Sequence, residues 1–479
     1  MPKSNFFTRH LRDINESYFV HMRHALGFAR ESLIAFCCFF IHSILPFIFL
    51  TAGNSTARKL LNRINFRTKL INLSTANEKH VAIVGFGLSG LVTFFNLVKN
   101  HQADSGKLVV RIFEKSSVLL KGTAYSTKSP NHLLNVPANR MGVVEEDQEH
   151  FFKWLCLKGY NYQKTDFVPR QIFGIYLEDL LQIALKISDE KNISYEFRSK
   201  EISEITVREN YFWIDGDLHH SCILAVGPQL KDSKKSFWRN DLESYLADEE
   251  IHILGCGLTA IDTVVSLRDR KYSGKIFLHS RRGILSQPHK IFDFTEKVDS
   301  PLNPEDSDLP LSQIFRKFIN ACKKSSDWRI AFDAFRPRTQ KFWMVLDVEK
   351  KKRFMRHCFR LWNVHRHRCP ESQFKIVEEM MKSGQLRIQK GRVSDGKVID
   401  CTGFDYGFES ELISNLVKNN LVKFDELHAG LIPQHENIFF TAGLNFGSLF
   451  EITSAPDIAP HCKKISDKIN KLDPSSFLR

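Results

Sequence analysis

The fold is decided by His80–Gly90, HVAIVGFGLSG, together with the ten residues after it. Val81 to Val84 continue the short apolar run of a strand, and LVTFFNLVKN (91–100) reads as a helix. Between them stand Gly85, Gly87 and Gly90, spaced GxGxxG. The spacing has meaning only in this strand–turn–helix context. Gly85 permits the tight turn, Gly87 lets backbone approach a pyrophosphate, and Gly90 lets helix and strand pack closely. The amides of Leu88, Ser89 and Gly90 open the helix, where N–H groups and dipole favour phosphate. A second strand, Leu108–Phe113, ends at Glu114, whose carboxylate can accept both ribose hydroxyls of an adenosine. Glu114 lies 29 residues after Gly85, beyond the usual distance of about 20, and the polar stretch 102–106 absorbs the excess.

The pattern returns 170 residues later. IHIL (251–254) is followed by Gly255, Gly257, Leu258, Thr259 and Ala260, then by the helix IDTVVSLRDR. Alanine in third place is a permitted variant. The next strand, Lys275–His279, ends in Ser280-Arg281-Arg282-Gly283 and has no acid. A carboxylate would repel a 2′-phosphate, whereas arginine pairs with it. Two dinucleotide sites, the first with an acid and the second with arginines, predict FAD followed by NADPH. In such a pair the protein holds nicotinamide against flavin for hydride transfer.

Further segments carry a family resemblance. They are Gly122-Thr-Ala124-Tyr125-Ser126-Thr127, His132-Leu-Leu-Asn135-Val-Pro137-Ala138, and Phe151-Phe-Lys-Trp154-Leu. Phe167-Val-Pro169-Arg170 with Phe173-Gly174-Ile-Tyr176 follows, then Ile223 to Gly227-Pro228 and Ser280 to Gly283. Val364-His365-Arg366-His367-Arg368-Cys369-Pro370, Val398 to Thr402-Gly403 and Phe450-Glu451-Ile-Thr453 complete the series. In this order, over about residues 80 to 465, the chain resembles a bacterial family of FAD/NAD(P)-binding proteins within the flavoproteins that have two dinucleotide-binding domains. The resemblance implies cofactor contacts at Gly122, Ala124, Tyr125, Asn135, Gly227, Gly403 and Gly443. It places His132 and Asn135 near the flavin as candidate catalytic groups. The alternative for His132 is a hydrogen-bonded structural histidine. Superfamily members often carry an aspartate after the glycine of the late strand; here Leu444 follows Gly443. The fingerprint FxGxxxHxxxW of the Baeyer–Villiger and flavin-containing monooxygenases is absent, which counts against their particular chemistry; GxSxG and HExxH are absent too, so hydrolase chemistry has no support.

The expected fold is α/β, with two Rossmann-like domains, the NADPH domain inserted in the FAD domain, and a helical N-terminal extension. The expected boundaries are 1–78 for the extension, 79–239 for the first FAD part, 240–396 for the NADPH domain with its helical insertion, and 397–479 for the closing FAD part. The chain is expected to return to the FAD domain at VIDCTGF (398–404). The expected activity is reduction of FAD by NADPH, with electrons passed to O₂, as in a monooxygenase, or to another acceptor. The alternative is a membrane-held flavin-binding protein with a structural or redox-sensing role.

Composition fits this reading. Across 479 residues, 43% are hydrophobic and 25% charged, which excludes a disordered or disulfide-scaffold protein. Ten cysteines without a CxxC pair read as reduced thiols of a cytosolic protein. His365, His367 and Cys369 alternate, but the spacing is not a usual zinc pattern, and no metal is expected. The net charge is +14. Residues 1–80 hold eleven Lys/Arg against four Asp/Glu, so half the excess lies there. That distribution is not that of a nucleic-acid-coating protein. The run KKKRFMRHCFRLWNVHRHR (350–368) reads as cofactor or substrate electrostatics, the alternatives being a nucleic-acid patch or a solvated face.

Leu33–Ala52, LIAFCCFFIHSILPFIFLTA, has sixteen apolar residues of twenty and no charge. That is the length of a bilayer span, about 20 residues, although His42, Ser43 and Pro46 interrupt it. Ala57 to Ile71 form a basic amphipathic helix with Arg58, Lys59, Arg63, Arg67 and Lys69 on one face. Phe7 to Ala25 repeat at helical spacing. Residues 33–71 are therefore expected to hold a membrane surface or bilayer, with the body in the cytoplasm. About thirty residues precede the apolar run, so a cleaved signal peptide is not expected. The alternative is a hairpin buried against the body.

Overall fold

The computed structural model describes residues 10–11, 17–75, 77–117, 119–227, 236–237, 248–290, 299–391, 393, 396–403 and 408–478. Two parallel sheets organise the chain. The first has five strands in the order Ile438–Phe440, Ser221–Leu224, Glu78–Val84, Lys107–Glu114, Ser194–Ser199. The second has four, in the order Leu386–Lys390, Ile276–Ser280, Ile251–Leu254, Lys397–Asp400. All neighbours within both sheets are parallel. Such sheets are covered on both faces. Along Glu78–Val84, Val81 and Ile83 enter one apolar cluster with Leu91, Phe94 and Phe173, and Ala82 and Val84 enter another with Phe212, Leu224 and Leu412. Period-two alternation thus builds both layers from one strand, each fully buried large side chain contributing about 1.5–3 kcal/mol.

The last strand of the second sheet corrects the expected boundary. Val398 and Ile399 pair with His252 and Ile253, so VIDCTG completes the second sheet and does not reopen the first. The chain rejoins the first sheet only at Ile438–Phe440, beside Ser221–Leu224. Between the central strands and the edge strand of the second sheet lies a helical insertion. Its helices are Leu311–Lys324, Trp328–Phe335, Thr339–Val345, Val348–His357, Phe359–Arg366 and Glu371–Lys382.

The N-terminal apolar run is also divided differently. One helix, Tyr18–Ile44, ends inside it, and a second, Ala52–Thr75, runs back. Pro46 explains the break: it disfavours helical backbone at Leu45, which adopts φ −125°, ψ 82°. The two helices pack antiparallel, with Arg63 on Glu31 at 2.7 Å, Arg67 on His21 at 3.0 Å, and Gly53 against Phe39. Three of the five basic residues therefore serve the protein itself, since Lys69 reaches Asp217 and the Gly216 carbonyl. Arg58 and Lys59 remain exposed. The base of the hairpin is docked: Phe66, Leu70 and Leu73 pack on Tyr211, Trp213, Leu218 and Phe477. The apolar periodicity that begins at Phe7 becomes helix at Tyr18, capped by Ser17, and Phe7 and Ile14 lie outside the described residues.

Candidate functional site

Both glycine loops sit between strand and helix as expected. In the first, Gly85 has φ +93°, and a Cβ there would lie 2.7 Å from the Ala225 carbonyl. A Cβ on Gly90 would lie 2.4 Å from the Gly85 carbonyl. Gly87 is the opposite: a Cβ there meets nothing within 4 Å. The turn and the close packing are satisfied by protein, while the middle glycine faces open space. The first intrahelical bond runs from Leu91 N–H to Gly87 C=O. The amides of Leu88, Ser89 and Gly90 therefore precede the helical ladder. Glu114 accepts from Phe86 N–H (2.6 Å) and Ser116 N–H (2.8 Å), which aims its carboxylate at the loop. Each oxygen keeps a second lone pair for a ribose hydroxyl.

The second loop repeats this arrangement. Gly255 has φ +114° and a Cβ there would meet the Cys401 carbonyl at 2.5 Å, Ala260 is fully buried, and Gly257 faces open space. Leu258 and Thr259 open the helix Leu258–Asp269. The correspondence extends further. ILAVG (223–227) abuts the first loop as IDCTG (399–403) abuts the second, and Gly227 and Gly403 both face open space. Gly403 thus belongs to the second cradle. Arg281 and Arg282 are exposed at the end of Ile276–Ser280, and Arg282 donates to the His357 carbonyl at 3.2 Å. The residues present fit an adenosine dinucleotide in each cradle.

The other candidates distribute unevenly. Gly122 (φ +48°) faces open space at the start of the short helix Gly122–Tyr125, which also holds Ala124. The Tyr125 ring lies 4.8 Å from that of Phe173, and burial pushes its phenol up to about 12. Gly443 lies in the turn Ala442–Asn445, and Thr441 just before it donates to Ser89 Oγ at 3.0 Å, so this turn flanks the first cradle. Leu444 is buried in the apolar cluster beneath the sheet, so its side chain makes no substitute for the missing aspartate. Asn135 lines a cavity of about 70 Å³, and its backbone carbonyl accepts from His289 at 3.0 Å.

His132 is buried with both ring nitrogens engaged, Nδ1 with Thr127 Oγ1 at 2.6 Å and Nε2 with Ser266 Oγ at 2.7 Å. Burial lowers its pKa, which keeps the ring neutral. Ser266 lies on the helix of the second glycine loop, so His132 bridges the two cradles. Around it, Arg170 pairs with Asp262 at 2.9 Å, Asn131 with Asp269 at 2.9 Å, and Gln373 donates to the Asn131 carbonyl. Sequence reasoning misses this clamp. The signal that could have found it is Asp262, a lone acid in the apolar run AIDTVV. Buried charges need partners, and Arg170 supplies one.

Downstream, His365 is the penultimate residue of the helix Phe359–Arg366, and His367 and Cys369 lie beyond its end. Their side chains go to different places: His365 Nδ1 to the Leu361 carbonyl, His367 to the cavity, Cys369 to the Gln287 carbonyl. Among the described residues no cluster of three or more His, Cys, Asp or Glu is placed to hold a metal.

Comparison with known proteins supports this architecture. Residues 82–228 match a family described as FAD-NAD(P)-binding, and residues 4–67 match a family of unknown function, DUF6356. No curated protein matches the chain. Among solved structures, the ornithine hydroxylase PvdA from Pseudomonas aeruginosa is similar with a TM-score of 0.53 and 13% identity, over 82% of this chain and 99% of that one. DfoA, the cadaverine monooxygenase of the desferrioxamine pathway from Erwinia amylovora, solved with FAD, has a TM-score of 0.50 and 10% identity, over 82% and 95%. At these identities the likeness is one of fold. Residues 82–228 match the FAD-NAD(P)-binding family model, and the chain shares its overall fold with these two solved flavoenzymes.

Proposed function

We propose that the protein is an FAD-dependent NAD(P)H oxidoreductase that takes FAD in the first cradle and NADPH in the second, and passes the electrons to O₂ as a monooxygenase acting on a small molecule. One observation carries the reading: two glycine cradles of matching geometry are bolted together by His132–Ser266 and Arg170–Asp262. A protein that moves hydride between two cofactors must hold their sites in a fixed relation, because rate falls steeply with misplacement. When bound, the flavin supplies the hydride and oxygen chemistry. The chain's part is to bind phosphates at the helix starts, fix the ribose at Glu114, and lock the junction. In this reading His132 positions the cradles and exchanges no proton. The test is the absorbance of purified protein without oxygen. It should be yellow, bleach on adding NADPH, and recover in air. A colourless protein that also fails to take up added FAD would sink the proposal.

Arg281 and Arg282 should set the preference for NADPH. Each charge-assisted contact to a 2′-phosphate is worth roughly 1.5–3 kcal/mol. Replacing both with alanine should erase most of the discrimination by raising KM for NADPH at least tenfold, while KM for NADH stays put. Unchanged discrimination would mean that the phosphate is read elsewhere. Gly257→Val should abolish NADPH oxidation yet leave FAD in place, since the two cradles are separate.

The same proposal places the hairpin on a membrane. Helix Tyr18–Ile44 is long and apolar enough to cross a bilayer by length and composition, and little of it is buried against the protein. The turn beyond it exposes Phe47, Phe49 and Leu50, with Arg58 and Lys59 exposed just past the turn. An apolar tip followed by cations fits insertion beneath anionic headgroups. Docking of Phe66 and Leu73 keeps the flavin fold attached to the anchor.

A further inference from the structure

The cavity beside Asn135 has two unlike walls. One is apolar, made by Val136, Pro137 and Phe167. The other carries Arg336, Arg366 and Arg368. Arginines this deep require partners, and each has one carboxylate: Arg366 Nε donates to Glu451 (2.7 Å), Arg336 approaches Asp457 (3.4 Å), and Arg368 pairs with Asp333. The pairing is incomplete. Arg366 is 7% exposed and its Nη2 has no hydrogen-bond partner, and Arg368 is 3% exposed with Nε in the same condition. A buried guanidinium with an idle donor is costly, so such donors are normally satisfied. Both residues line the cavity.

We infer that this cavity is the substrate pocket of the proposed oxidoreductase and that it selects a carboxylate with an apolar body, the carboxylate being held by Arg366 and Arg368. The inference rests on the reading above and adds the substrate class to it. Guanidinium donors in a fixed fork match the planar carboxylate. Three of the lining arginines face one carboxylate each, Arg140 and Lys290 line the cavity as well, and Asp327, 3.6 Å from Lys290, is shared with Arg329, so the cavity keeps a positive excess that favours an anion. The lining histidines add no charge: burial pushes both His289 and His367 down to about 3. Position supports the assignment. Asn135 comes from the segment that bridges the cradles, and Ser454 stands at the head of Ala455–Asn470, the helix packed on the first glycine-loop helix. The cavity is therefore walled by the segment that bridges the cradles, by the helical insertion and by the start of the helix Ala455–Asn470.

The test uses full-length FAD-loaded protein with butyrate and its neutral isostere butanamide, followed by calorimetry and by perturbation of the flavin spectrum. Butyrate should bind saturably and butanamide at least tenfold more weakly. Arg366→Met alone strands Glu451, so the informative variant is Arg366→Met with Glu451→Gln. That pair keeps the acceptor for Trp362, whose Nε1 donates to Glu451 at 2.8 Å. It should weaken butyrate at least tenfold with flavin content unchanged. Arg366→Lys, which keeps the charge but loses the fork, should fall between. Equal binding of butyrate and butanamide, or undiminished butyrate binding in the double variant, overturns the inference. A protein that binds butyrate by calorimetry but takes no flavin would overturn the cofactor reading and leave the anion pocket standing.

Discussion

Gly87→Val should purify colourless and folded. Gly87 has φ −80° and ψ −160°, backbone that valine adopts without strain. Its added Cβ meets no protein atom within 4 Å, so the apo fold should be retained. What it fills is the space in front of the Leu88, Ser89 and Gly90 amides, where a pyrophosphate must come against the backbone. Overpacking typically costs about 1–3 kcal/mol, and more against a rigid diphosphate, so FAD affinity should drop at least tenfold to a hundredfold. Flavin content and the thermal midpoint, measured together, check it. The control is Gly90→Val, whose Cβ would lie 2.4 Å from the Gly85 carbonyl. That variant should lose stability as well as flavin, by a collision inside the protein. Full flavin occupancy in Gly87→Val would refute the assignment of the first cradle.

The contrast between those glycines also shows what sequence can carry. A glycine loop is a local signal: strand, turn and helix are contiguous, and each glycine answers a contact made within a few residues or with the neighbouring strand. Both cradles were therefore legible, with Glu114 at one strand end and Arg281–Arg282 at the other. The partner strands were not. ILAVG and VIDCTG are both short apolar runs ending in glycine, and nothing local says which sheet each joins. Only the pairing of Val398 with His252 assigns the second run to the second sheet. The clamp and the arginine cavity escaped for the same reason. Arg170 and Asp262 stand 92 residues apart in sequence, and Arg366 and Glu451 stand 85 apart. Such pairs exist only once the chain is folded. His132 stands in a segment that the sequence marks, yet its partner Ser266 is one that no pattern of spacing singles out.

The N-terminal run shows the limit of counting apolar residues. Sixteen of twenty predicted a span, but one proline turned it into a hairpin whose tip is the exposed apolar end. That geometry fixes how membrane attachment should be tested. Cutting the chain near Ser74 would strip Phe66 and Leu73 from Tyr211, Leu218 and Phe477, leaving a raw apolar patch on the body. Insolubility would then say nothing about a membrane. Replacing Phe47, Phe49 and Leu50 with serine changes only the tip, where these side chains are exposed. Each contributes about 1.5–3 kcal/mol when buried in hydrocarbon, so losing all three should weaken partitioning by about a thousandfold or more. The parent protein should sediment with anionic vesicles and stay bound in high salt, because apolar burial is not screened as charge is. The triple variant should remain in the supernatant, yellow, with an unchanged thermal midpoint. Charge reversal at Arg58 and Lys59 should weaken binding more modestly and in a salt-dependent way, each cation near the surface contributing about 1 kcal/mol. If the parent floats free of vesicles and instead sediments as a dimer that the triple variant cannot form, the tip binds a second copy of the chain and the membrane proposal is wrong.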